Sequence, residues 1–326
     1  MKKLSVFFLL VVFSGCSNPE TISPINDFSA FIQPVPKTSV LKEEGYFVWG
    51  GSVIKGEDNL YHMFYSRWKQ EYGFNAWVTR SEIAHAVSEK PEGPFVFRDV
   101  ALPERGEEFW DGLCTHNPTV HRFHGKYYLY YMGNTGNGKV IPGLNYSHRN
   151  NQRIGVAWAE DPNGPWHRGD QPFLDVSPDE NAYDALMVSN PSVTQRPDGK
   201  FLVVYKAVAK HDPLPFGGPV THLAAIADSP TGPVKKIGVP IFFKEGEKFP
   251  AEDPFVWYHK KGKRYYAIVK DMQGTFTGAG VSLALFESNN GLDWAPAAQP
   301  LASTLDVEWN DGTVEKLAKL ERARLL

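Results

Sequence analysis

The chain reads as short apolar runs broken by Gly, Pro, Asn and Asp, and helical periodicity is hard to find except in the last stretch. The runs are rich in β-branched and aromatic residues, which predicts strands. Laid against itself, the sequence shows one unit four times. The first strand recurs as Trp49-Gly-Gly-Ser-Val53, His116-Asn-Pro-Thr-Val120, Ser189-Asn-Pro-Ser-Val193 and Glu252-Asp-Pro-Phe-Val256. A polar turn follows each time, then an aromatic or apolar second strand: Tyr61 to Tyr65, Tyr127 to Tyr131, Phe201 to Tyr205 and Tyr265 to Val269. A third strand lies further on, at Ile83 to Val87, Ile154 to Trp158, Leu223 to Ala227 and Leu283 to Phe286. Three units then turn at Gly-Pro (Gly93-Pro94, Gly164-Pro165, Gly232-Pro233), and the fourth turns at Asn290-Gly291.

The first strands begin about 65 to 70 residues apart, the length that four antiparallel strands and their loops require. A repeated sheet of this kind cannot bury both faces alone, so the units must pack radially. The predicted fold is all-β, a five-bladed β-propeller with an incomplete fifth blade. Leu320 to Leu326 would open that blade, and a strand near Ile25 to Val40 would help to close the ring. The alternative is a four-bladed ring with a helix over 313–326, its exposed face carrying Glu315, Lys316, Lys319 and Arg322.

The first residues carry a different pattern. Met1-Lys2-Lys3, an apolar run from Leu4 to Phe13, then Ser14-Gly15-Cys16 make an export signal, too short to span a bilayer. The Ser-Gly-Cys ending resembles a bacterial lipobox, which implies cleavage before Cys16 and lipidation of its thiol. The predicted organisation is a signal and lipobox over 1–16, a linker with the ring-closing strand over 17–44, and a propeller over 45–326. The expected location is the cell envelope, with the membrane as partner through the lipid anchor.

Past Cys16 the one remaining cysteine is Cys114, so no internal disulfide supports the fold. With 42% hydrophobic residues the chain can build its core without one. The formal net charge of −3, with no long basic run, excludes nucleic acid as the partner class.

In a propeller the opening of each first strand faces the central channel. Here those openings are polar and align: His116-Asn117, Ser189-Asn190 and Glu252-Asp253, with Trp49-Gly50 in the first unit. Two units also place an aromatic-Asp pair six residues before the Asn-Pro, Trp110-Asp111 and Tyr183-Asp184. The first-blade loop adds Arg67, Trp68, Trp77 and Arg80, with arginines suited to a carboxylate or sulfate and rings suited to stacking on a sugar. The histidines show no metal-ligand spacing on a shared element.

These strand openings, aromatic second strands and Gly-Pro turns resemble the five-bladed glycoside hydrolases of families 43, 32 and 117. The resemblance implies a funnel lined by carboxylates from several blades and cleavage by an acid and a base. Glu252-Asp253-Pro254 matches the acidic strand opening, and Glu321-Arg322 resembles a Glu-Arg-Pro element of the fifth blade with Ala323 in place of proline. Family 43 carries its base aspartate at the start of the first blade, where this chain has Gly50-Gly51-Ser52.

The expected function is an exo-acting glycosidase on oligosaccharides from a polysaccharide. Asp111, Asp184 and Asp253 are expected as base or electrostatic partner, Glu252 or Glu321 as acid, with His116 an alternative acid. Substrate would be held by Trp49, Arg67, Trp77, His116, Asn117 and Asn190. No cofactor is required by this chemistry, though the channel leaves room for a metal ion. The rival is a non-catalytic glycan-binding lipoprotein. A phosphorolytic relative of the family 130 type is a third reading, for which Arg67, Arg80 and Lys206 are too dispersed in sequence.

Overall fold

The computed structural model describes residue 25 and residues 27–325. The export signal and Cys16 lie outside the described residues. No helix among those described is long and apolar enough to cross a membrane.

The four units fold as four antiparallel sheets of four strands, each in simple up-and-down order. The first holds β1 (Tyr46–Lys55), β2 (Tyr61–Lys69), β3 (Glu82–Ser88) and β4 (Val96–Leu102). The second holds β5 (Cys114–Phe123), β6 (Lys126–Asn134), β7 (Arg153–Ala159) and the short β8 (His167–Arg168). The third holds β9 (Met187–Gln195), β10 (Phe201–Val208), β11 (Val220–Ala227) and β12 (Val234–Ile241). The fourth holds β13 (Ala251–His259), β14 (Arg264–Asp271), β15 (Ser282–Ser288) and β16 (Ala295–Ser303).

Strand alternation explains why the second strands read as unbroken apolar runs. Along β10, Phe201, Val203 and Tyr205 pack toward Tyr130 and Ile154 of the second blade. Leu202 and Val204 pack toward Val256, Tyr265 and Ala267 of the fourth. Both faces are buried between neighbouring blades, so neither can be polar. The first and second blades meet in the same way through Phe64, Ile83, Leu129 and Tyr131. Serines on the first strands tie the inner ring together. Ser52 and Ser192 accept bonds from the Val120 and Val256 amides of the next blade at 3.1 and 2.9 Å.

The fifth position is filled differently. A short hairpin of β17 (Asp306–Glu308) and β18 (Val314–Lys316) stands there, and Val35 pairs with Trp309 in a single parallel bridge. The N-terminal stretch therefore does join this region, by one bridge rather than a strand. Ile25, Phe28, Leu320 and Ala323 cover the outer face of the fourth blade over Tyr266, Ile268 and Leu285. The helix considered for 313–326 does not form: Val314–Lys316 is a strand, and Arg322 has a φ of 56°.

Candidate functional site

The opening of each first strand carries a backbone irregularity that sets the site. Asn117, Asn190 and Asp253 have φ of 53°, 50° and 51°, and the ladder to the second strand shifts register beside each. These are β-bulges, and they break the rule that consecutive side chains leave a strand on opposite faces. Both members of the pairs His116-Asn117, Ser189-Asn190 and Glu252-Asp253 therefore reach one cleft. Gly50 and Arg322 repeat the conformation, with φ of 58° and 56°. Five equivalent positions thus surround the axis, although the fifth has a two-stranded hairpin in place of a four-stranded sheet.

The five inner residues close on one another. Asn117 Nδ2 donates to Asn190 Oδ1 at 2.7 Å, and Asn190 Nδ2 donates to Asp253 Oδ1 at 2.6 Å. Arg322 donates to Asp253 Oδ1 at 3.2 Å and to the Asn117 carbonyl at 3.1 Å. Gly50 makes room for that guanidinium: a Cβ there would lie 2.9 Å from Arg322 Cδ. A side chain at the first-blade position would therefore collide with Arg322. The place is occupied from the fifth position.

Above this ring sits a cleft of about 210 Å³. Trp49, Trp68, Phe74 and Trp77 form an aromatic wall, and Glu252, Asp253, Glu321, Lys206 and Lys319 supply charge. His116, Asn117, Gln152, Ser189 and Asn190 complete the lining. Of the residues expected to bind substrate, Trp49, Trp77, His116, Asn117 and Asn190 come together here. Arg67 does not. Its Nε bonds Glu82 at 2.9 Å and its Nη1 pairs with Glu43, and with Arg80 it lines a separate cleft.

The carboxylates divide in the same way. Glu252, Asp253 and Glu321 line the cleft, whereas Asp111 and Asp184 do not. Asp111 is fully buried, taking Arg105 Nε and the Tyr131 hydroxyl at 2.6 Å each, with Arg168 at 3.5 Å. Asp184 takes Lys236 at 2.6 Å and the Tyr205 hydroxyl at 3.1 Å. Tyr131 and Tyr205 are equivalent residues of the second strands, and Arg168 and Lys236 stand on the fourth. The repeated aspartate is a clip within its blade, and this corrects the catalytic expectation for both residues. Glu43 with Tyr65 makes the corresponding contact in the first blade.

Charge in the cleft is tightly organised. Lys206 bonds Glu252 at 2.6 Å; Lys270 lies 3.7 Å from Glu252 and also pairs with Glu321. Burial pushes the Glu252 carboxyl up, but Lys206 and then Lys270 outweigh it, leaving Glu252 below the ordinary carboxylate range. Burial pushes the adjacent Asp253 up, and the Arg322 charge offsets only part of that. His116 is held at about 3 by burial, with Arg322 adding to the effect, so its imidazole is neutral at ordinary pH. Its Nδ1 lies 2.7 Å from Ser81 Oγ. A neutral imidazole this hard to protonate does not fit the acid role considered for it.

Lys206 and Lys270 were legible by one more residue of register. In each ladder the outer funnel residue faces a fixed second-strand position: Trp49 faces Ser66, His116 faces Met132, Ser189 faces Lys206 and Glu252 faces Lys270. That position lies one step beyond the aromatic run. Phe74, Gln152 and Lys319 sit on irregular segments outside the repeat and left no such signal.

This chain shares its fold with glycoside hydrolases of known structure. A family 117 glycoside hydrolase of the marine bacterium Zobellia galactanivorans superposes with a TM-score of 0.60 at 17% identity, over 86% of this chain and 78% of that one. A thermostable family 43 glycoside hydrolase gives 0.56 at 15% identity, over 83% and 76%. An endo-arabinase from Bacteroides thetaiotaomicron gives 0.51 at 12%, over 86% and 90%. At these identities the likeness is one of fold. No protein-family model matches the sequence, and no curated protein matches it.

Among the described residues no group of three or more His, Cys, Asp and Glu side chains is placed to hold a metal ion. A guanidinium stands in the inner ring, and such a centre does not fit a cation.

Proposed function

We propose that this chain is a glycoside hydrolase, and the observation that carries the reading is the convergence of Glu252, Asp253 and Glu321 beneath an aromatic wall. Glycoside cleavage needs one carboxyl that holds a proton for the leaving oxygen and one that stays ionised to activate water or attack. Environments that drive two neighbouring carboxyls apart supply such a division. Here Glu252 is driven down and Asp253 up. Glu252 is the ionised partner in this reading. Asp253 or Glu321 delivers the proton, and Trp49 and Trp77 stack on the ring.

The small cleft favours removal of terminal sugars from oligosaccharides released from a polysaccharide. The first residues favour export and attachment to the cell envelope through a lipid on Cys16. Radiolabelled palmitate appearing on the wild-type chain and absent from Cys16→Ser would support that placement. Labelling of neither chain would sink it.

One observation favours a second reading. Each carboxylate of the cleft has a cation within 3.2 Å (Lys206 on Glu252, Lys270 on Glu321, Arg322 on Asp253), as suits a non-catalytic glycan-binding protein. Release of reducing ends from a panel of neutral, uronic-acid and sulfated oligosaccharides separates the two. Release by the wild type, lost in Glu252→Gln while binding persists, supports the hydrolase. Binding without release by any of them supports the glycan-binding reading.

A further inference from the structure

Pairing the charges of the cleft leaves one cation over. Lys206 answers Glu252, Lys270 answers Glu321 and Arg322 answers Asp253, so three carboxylates and three cations offset one another at the floor. Lys319 has no carboxylate partner among the described residues. Its ammonium stands 5.8 Å from the Trp49 ring and 5.7 Å from the Phe74 ring, on the wall of the same cleft. Aromatic faces attract a cation without neutralising it. The histidines add no further positive charge, since His116 and His222 are both held at about 3 by burial and stay neutral. An occupied cleft would shield Lys319 from water beside that wall, where an unanswered charge becomes costly and a negative group on the ligand would remove the cost.

We propose that the cleft takes a saccharide carrying an anionic substituent, a carboxylate or a sulfate, with its ring against Trp49 and its negative group on Lys319. The inference rests on the carbohydrate reading of this site and names the substrate class within it. An ammonium on a flexible stem offers three donors without a fixed fork, so it accepts either anion. Exposed at the rim, Lys319 can be replaced without disturbing the ring of Asn117, Asn190, Asp253 and Arg322 below.

Titration calorimetry with tetragalacturonate, its neutral methyl ester and a sulfated galactotetraose tests this. The wild type should bind at least one charged tetrasaccharide more tightly than the ester, and added salt should weaken that preference. In Lys319→Met the ratio of charged to neutral affinity should fall by about five- to tenfold, the scale of one lost charge-assisted contact. Lys319→Arg should restore most of it. Preference for the carboxylate or for the sulfate identifies the source of the charge, and either supports the inference. An ester bound as tightly as the acid, a ratio unchanged in Lys319→Met, or no binding of any of the three overturns it. Product analysis in the same samples keeps the two readings apart. Charged-sugar binding without cleavage sinks the hydrolase and leaves this inference standing. Cleavage confined to neutral sugars does the reverse.

Discussion

At position 50 the backbone has a φ of 58° and the space above it belongs to Arg322. Alanine there meets two costs at once, a left-handed conformation and a methyl 2.9 Å from Arg322 Cδ. Gly50→Ala should lower the stability by about 1–3 kcal/mol, read as a shifted midpoint in urea unfolding. An unchanged midpoint would contradict the collision with Arg322. The buried imidazoles carry a second expectation at this scale. His116, His121 and His222 are held at about 3, in each case chiefly by burial. In the unfolded chain they would take protons near pH 6.5. Between pH 6.5 and 3 the unfolded state therefore binds protons that the native state refuses, so stability should fall as pH drops through that window. Urea midpoints measured from pH 7 to pH 4 check the sign, and a flat profile would mean these rings are protonated in the native protein.

The element that matters most is the bulged opening of the first strand. It was visible as the repeated Asn-Pro and Asp-Pro, which marked three of the five positions around the axis. The sequence pattern also marked Asp111 and Asp184, and there it misled. Repetition at a fixed depth is what a funnel residue shows, and it is equally what a clip repeated in each blade shows. Only the partners decide, and Tyr131 with Arg105 claims Asp111. Removing that carboxylate would strand two arginines and a tyrosine hydroxyl. Asp111→Ala should cost about 3–5 kcal/mol in thermal or urea unfolding. The milder Tyr131→Phe should cost about 1 kcal/mol. A cost near zero for Asp111→Ala would mean that the clip does not hold the blade. The blades themselves were legible because both faces of each second strand are buried. The fifth was less so, because a single bridge at Val35 and a three-residue hairpin strand carry too little periodicity to read.

Across the whole molecule, the ring is completed by segments from the two ends of the described chain. Ile25, Phe28 and residues 32–35 pack beside the fourth blade, and Glu321 and Arg322 bring the fifth pair of funnel residues to the axis. The cleft depends on that closure, since Arg322 ties the second blade to the fourth through Asn117 and Asp253. The wall is contributed by the first blade, through its first two strands and the segment after them, and the charge by blades three to five, so substrate would lie across the axis between them. On the hydrolase reading, function resides in the residues of the bulged openings and not in the repeated clip aspartates. The most direct measurement is kcat/KM on a cleaved oligosaccharide for Glu252→Gln and Asp184→Asn side by side, normalised to folded protein. The expected result is a loss of about 10²- to 10⁴-fold in Glu252→Gln and little change in Asp184→Asn. Loss of turnover in Asp184→Asn with Glu252→Gln near the wild type would contradict it.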